Sequence, residues 1–155
     1  MDIIIPTALK SLATAGSAIR EFGSWRKRAR GDARALIGEL KDNMSYLDMV
    51  ARDNVNLGDV VAKLSDREYK RLAHAGYDFN ALKRGKIAGH ASFKGGELES
   101  WVGKETEELV TSIYDKISDI RIRYPHVSAN RNYRWMVRVN NIRKRIWLLL
   151  RHVRS

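Results

Sequence analysis

The end of the chain carries the side chains best suited to chemistry on a charged partner. Residues 121–155 contain ten Lys and Arg and no Asp or Glu, and nine of these ten cations are arginine. An arginine guanidinium can form two parallel hydrogen bonds to one phosphate and can stack on a base, whereas a lysine ammonium acts as a point charge. This composition favours phosphate contacts, so the sequence predicts a polyanionic partner.

Helical spacing gathers many of these side chains on one side of a predicted helix over residues 130–153. At about 100° per residue, six polar residues fall within about a quarter of the circumference, beside an apolar stripe. They are Arg131, Arg134, Arg138, Asn141, Arg145 and His152. The other cations of the helix lie elsewhere on its solvent-facing side, and they are Arg143, Lys144, Arg151 and Arg154. We predict that these ten residues bind nucleic acid.

Two acidic segments offer an alternative use for the arginines. Residues 31–60 and 91–120 carry net charges of −3 and −4 and could pair with the last helix inside the fold. Ten positive charges exceed those seven negative charges, so part of the surface would stay free for a partner. Because arginine contacts to phosphate position a protein without reading bases, and because no helix-turn-helix pattern is present, RNA is favoured over sequence-specific DNA binding. Contacts with further protein subunits are the remaining possibility.

Arg145 and His152 form the one pattern that suggests catalysis. The spacing of six residues between them resembles the arginine-to-histidine motif of the HEPN family, helical-bundle ribonucleases and their relatives in bacterial toxin and defence systems. The resemblance spans eight residues of 155. It implies metal-independent RNA cleavage at a site assembled across a dimer, with both side chains acting on the scissile phosphate. This ribonuclease is the alternative to our first expectation, a non-enzymatic RNA-binding module that forms homo-oligomers or is a subunit of a larger bacterial assembly.

Other catalytic or cofactor sites have less support in the sequence. His74, His90 and His126 lie far apart and lack the spacing of a metal-binding helix. The Gly85–Lys86 pair lacks the remaining residues of a phosphate-binding Walker loop. The chain has no cysteine, so thiolate chemistry and disulfides are excluded. The sequence therefore predicts neither a metal nor a cofactor.

Two secondary basic patches precede the last helix. The first consists of Arg26, Lys27, Arg28 and Arg30, and the second of Lys83, Arg84 and Lys86. The first follows an apolar, helix-like segment, and such a helix could lie on an anionic membrane surface. A membrane-associated or protein-scaffolding bundle is therefore a second alternative. Asp2, Pro6 and Lys10 are unlike a secretory signal, and no apolar run approaches the ~20 residues of a membrane span, so the expected location is the cytoplasm.

The hydrophobic periodicity predicts a single all-α domain, a bundle of about four main helices with short helices and one long loop. The predicted order begins with an amphipathic N-terminal helix and a basic hinge within residues 1–30, followed by a helix over 33–53. Ser65 and Glu68 fit a capping box that starts a helix ending at Gly76. A glycine-containing loop over 77–103 leads to a helix that Pro125 should end, and the arginine-bearing helix follows.

Overall fold

The computed structural model describes the backbone of residues 15–155 and the side chains of residues 27–155. Within this range the chain forms five α-helices and no strand, as the periodicity predicts. The helices are α1 (Ala15–Arg52), α2 (Leu57–Val61), α3 (Arg67–His74), α4 (Thr106–Val127) and α5 (Trp135–Arg154). Single-turn 3-10 segments cover Phe79–Leu82, Ala91–Phe93, Glu97–Trp101 and Arg131–Tyr133. The fold class is an all-α helical bundle.

The first helix corrects one prediction. No hinge interrupts residues 23–31, because α1 runs continuously from Ala15 to Arg52. The basic residues there are good helix formers, and each glycine weakens a helix by only about 1 kcal/mol relative to alanine, which a helix of this length absorbs. Gly31 faces open space, so no packing contact depends on it. The first part of the predicted N-terminal helix, residues 7–14, lies outside the described residues.

Glu39 of α1 holds the start of α3 in place. Its buried carboxylate accepts hydrogen bonds from the backbone N–H groups of Glu68 (2.8 Å) and Tyr69 (3.2 Å), and from the hydroxyl of Tyr114 (2.8 Å). The predicted capping box is therefore wrong, since the acid that caps α3 comes from 29 residues earlier. The Ser65 hydroxyl accepts from the Arg67 N–H instead (3.2 Å).

The long loop is irregular, as predicted, but it is packed against the core. Five of its apolar side chains are buried, namely Phe79, Ile87, Phe93, Leu98 and Trp101. Backbone hydrogen bonds of 2.9 Å from Ile87 to Lys104 and from Gly103 to Ile87 join an inner position of the loop to its C-terminal end. Gly103 adopts φ +83, a left-handed conformation that favours glycine. The loop is thus part of the packed bundle and covers one end of α4 and α5.

The helices α4 and α5 form an antiparallel hairpin. Thr106 contacts His152, Ser112 contacts Arg145 and Asp119 contacts Arg138, so positions that advance along α4 meet positions that recede along α5. The predicted apolar stripe of α4 is buried, and so is that of α5 over Val139, Ile142, Ile146 and Leu149. Of the two helices, α5 makes the extensive contact with α1, whereas α4 packs against α5 and α2.

Both ends of the hairpin turn differ from the sequence prediction. Pro125 lies inside α4, which continues to Val127; a proline so near the C-terminus removes only one hydrogen bond of the helix. The last helix begins at Trp135, because Arg134 has a left-handed backbone (φ 48°) that ends the preceding 3-10 turn. Arg131 and Arg134 therefore precede α5 and are not part of its surface.

Candidate nucleic-acid interface

The predicted arginine ridge of α5 faces α4 and the loop. Its members within the helix are Arg138, Asn141, Arg145 and His152, and we call them the inner ridge. Arg138 donates to the carboxylate of Asp119 (2.9 Å) and to the backbone oxygen of Tyr133 (2.6 Å). Its guanidinium also lies 5.3 Å from the centre of the Tyr133 ring. Three contacts within the chain therefore hold the Arg138 guanidinium.

Arg145 is the most enclosed arginine of the inner ridge, with 14% of its side chain exposed. Its Nε donates to Glu97 (2.7 Å) and its Nη1 donates to the Ser112 hydroxyl (2.8 Å). The guanidinium lies 5.4 Å from the centre of the Trp101 ring. Arg145 therefore links α5 to both α4 and the loop, and its charge is compensated by Glu97.

His152 is buried, with 7% of its surface exposed. The Thr106 hydroxyl donates a hydrogen bond to the backbone oxygen of Lys83 (2.7 Å). Because the single proton of this hydroxyl is used there, the Nε2 of His152, 2.9 Å away, donates to the Thr106 oxygen. Burial, and then the positive charge of Lys83, lower the pKa of His152 below its ordinary value. The imidazole is consequently neutral at pH 7 and joins the end of α5 to the start of α4.

The second half of the predicted surface lies on the opposite side of α5. Lys144, Trp147, Arg151 and Arg154 fall within about 80° of arc at 100° per residue, and we call them the outer face. Lys144 and Arg154 are exposed, and Arg151 is half-buried against Phe93 and Trp147. Arg143 borders this face but pairs with Asp48 of α1 (2.7 Å). The outer face contains no acidic residue.

Ion pairs divide the ten cations of residues 121–155 into two equal groups. Five pair with acidic residues of the fold, and these are Arg121, Arg123, Arg138, Arg143 and Arg145. The other five make no ion pair to any described residue, and these are Arg131, Arg134, Lys144, Arg151 and Arg154. Internal pairing thus engages half of these cations, with Asp119 shared by Arg123 and Arg138.

Some of the predicted residues also meet at a groove near the hairpin turn. This cavity of about 280 Å³ is lined by Arg134, Arg138, Asn141 and Arg145 from the predicted surface, together with Lys116 and Tyr133. Asp119 and Glu97 already compensate two of these arginines. The groove can therefore offer an anion two uncompensated cations, Arg134 and Lys116.

Trp147 is a feature that the sequence analysis missed. Its indole is 42% exposed, and its ring contacts Phe93 of the loop edge to face, with 6.1 Å between ring centres. The Arg151 guanidinium lies 5.6 Å from the Trp147 centre. The sequence could have identified Trp147 as a surface residue, because it falls outside the apolar stripe of α5 and on the same arc as Lys144 and Arg151.

The secondary basic patches differ in availability. Lys27, Arg28 and Arg30 are exposed on α1, and the side chain of Arg26 lies outside the described residues. In the second patch, Lys83 donates to the backbone oxygen of Ser155 and Arg84 pairs with Asp78 (2.7 Å), while Lys86 is exposed. Lys86 is therefore the one cation of the loop patch with neither an ion pair nor a hydrogen bond to the described residues.

Among the described side chains of residues 27–155, no three His, Asp or Glu come together in a way that could hold a metal ion. No described helix combines the length and apolar character needed to cross a membrane. No protein-family model, curated protein or solved structure matches this chain.

Proposed function

We propose that this protein binds nucleic acid, with RNA favoured, through the outer face of α5 together with Arg131 and Arg134 before the helix. The observation that carries the proposal is the group of five cations without internal ion pairs on an acid-free segment. In a surface that serves only solubility, charges of both signs are normally interspersed. A phosphate backbone is the polyanion whose geometry suits arginine best.

The structure changes which residues are proposed to bind. An arginine that already pairs with a carboxylate would have to give up that partner before it could bind phosphate. For this reason Lys144, Arg151 and Arg154 are proposed to contact phosphates. Arg138, Arg143 and Arg145 are proposed to keep their internal ion pairs. Exposed Lys94, next to Phe93 on the loop, adds a further cation.

The salt dependence of binding tests this proposal. Each phosphate contact releases condensed counterions, and five contacts predict a slope of log affinity against log salt of about −4.5 for a duplex and about −3.5 for a single strand. Filter binding of labelled RNA to the full chain, over a series of salt concentrations, measures this slope. Absence of binding at low salt, or affinity indifferent to salt, would overturn the proposal.

Membership in a larger bacterial assembly, homo-oligomerisation and a cytoplasmic location remain predictions. The ribonuclease alternative also remains a prediction, although Arg145 and His152 are both engaged by residues of the chain. Binding rather than cleavage is proposed because three uncompensated cations, Lys144, Arg151 and Arg154, lie on the outer face, whereas His152 is buried.

A further inference from the structure

Phe93 and Arg151 pack against Trp147 at the surface. The buried Phe93 ring meets it nearly at a right angle (88°), and Arg151 lies against both rings, 5.6 Å from Trp147 and 5.4 Å from Phe93. A flat aromatic group that is ordered before binding loses little conformational freedom when a second flat group stacks on it. The exposed part of the indole is therefore available for stacking at low entropic cost.

Trp147 lies outside the core side of α5. The core side of the helix is completed by Val139, Ile142 and Ile146, all at most 1% exposed, whereas Trp147 leaves 42% of its surface in water. An aromatic side chain normally buries 150–250 Å², so this exposure forgoes a substantial hydrophobic gain. A partner that covers the indole would recover that gain.

The charges around Trp147 indicate the chemistry of the occupant. Lys144 lies one turn before it on the helix, Arg151 lies one turn after, and Arg154 follows on the same arc. An aromatic ring among cations on an acid-free helix face complements a chain of flat bases joined by phosphates. In a duplex the base faces are covered by their neighbours, so only an unpaired base can stack on the indole.

We propose that Trp147 is a stacking platform for an unpaired base, and that the outer face of α5 therefore prefers single-stranded nucleic acid over duplex. This inference rests on the proposed function, because the phosphates bound by Lys144, Arg151 and Arg154 bring the base to the indole. It specifies single-stranded nucleic acid as the ligand and Trp147 as the residue that distinguishes a single strand from a duplex.

The test compares three ligands for the intact protein: a short single-stranded RNA, a strand of the same length with abasic sites, and a duplex of the same sequence. We expect the base-bearing strand to bind about 5- to 150-fold more tightly than the abasic strand, the range that stacking of one base provides. In the Trp147→Leu protein this preference should disappear, and in Trp147→Phe it should largely remain. Met136→Leu, a change at another exposed apolar position of α5, should leave the preference intact.

The outcomes separate this inference from the proposed function. Salt-dependent binding of all three ligands with equal affinity would overturn the stacking inference and leave nucleic-acid binding standing. Lack of binding to every ligand at low salt would overturn both, and would be the result expected if the outer face contacts a protein. Because the comparison of ligands uses the unaltered protein, equal binding of the base-bearing and abasic strands would overturn the inference even if Trp147→Leu does not fold.

Discussion

The Nε2 of His152 lies 2.9 Å from the Thr106 hydroxyl, and this contact joins the last turn of α5 to the first turn of α4. Because the pKa of His152 is lowered by burial, the folded protein binds a proton there less readily than the unfolded chain does. Stability is therefore expected to be constant above the ordinary pKa near 6.5 and to fall as the pH drops below it, until the folded state is also protonated.

Replacement of His152 by Gln checks this assignment. The variant should be less stable than the unaltered protein at pH 7.5, because a buried hydrogen bond is altered, and its stability should depend less on pH between 7 and 5. Urea unfolding at several pH values measures both effects. An unchanged pH dependence in the variant would show that another group is responsible.

RNA cleavage is the second prediction. We expect the purified protein not to degrade labelled RNA in EDTA, because His152 is buried and its Nε2 is bonded to Thr106. If cleavage were observed, and if His152→Ala abolished it while the helical circular dichroism remained, the HEPN-like ribonuclease would replace our proposal. Cleavage that persisted in that variant would be attributed to a contaminant.

The third prediction concerns the pair between Arg145 and Glu97. Arg145→Gln leaves the Glu97 carboxylate, one oxygen of which is already buried without a hydrogen bond, with no charged partner. We expect a loss of about 2 kcal/mol in the free energy of unfolding, below the 3–5 kcal/mol typical of fully buried pairs because both side chains are partly exposed. The double variant Glu97→Gln with Arg145→Gln should recover part of this loss in urea unfolding. A double variant less stable than the single one would contradict this account.

The fourth prediction separates the outer face from net charge in general. Changing Lys144, Arg151 and Arg154 together to Gln should weaken RNA binding and make the salt slope shallower by about 2 for a single strand, since three phosphate contacts are lost. The matched control changes Lys41, Lys63 and Arg67 to Gln, which removes the same charge from exposed positions near α1 and α3. Equal weakening in the two variants would mean that binding follows overall charge and not this face.

Some of this architecture was determined by the sequence alone. The apolar positions of α4 and α5 repeat at helical spacing, so their buried stripes over residues such as Ile113 and Ile146 could be predicted without coordinates. Gly76 adopts the left-handed backbone (φ +75) expected of a residue that ends a helix. The charge surplus of the last segment is likewise a property of composition.

Contacts between distant residues could not be predicted in the same way. Glu39 caps α3 from another helix, and no local sequence pattern predicts a partner 29 residues away. The hinge predicted near Gly31 is helical because local glycine signals are weak against the cooperativity of a long helix. At the other end of the fold, the left-handed Arg134 shifts the start of α5 past two predicted surface arginines.

For the arginine surface, the sequence and the tertiary structure determined different properties. Helical spacing correctly placed Arg138, Arg145 and His152 on one side of α5, and the composition established an excess of positive charge. Only the tertiary structure decided that this side faces Asp119, Glu97 and Thr106, since the orientation of a helix about its axis is set by the elements packed against it. Lys144, Arg151, Arg154 and Trp147 are consequently left on another side of α5.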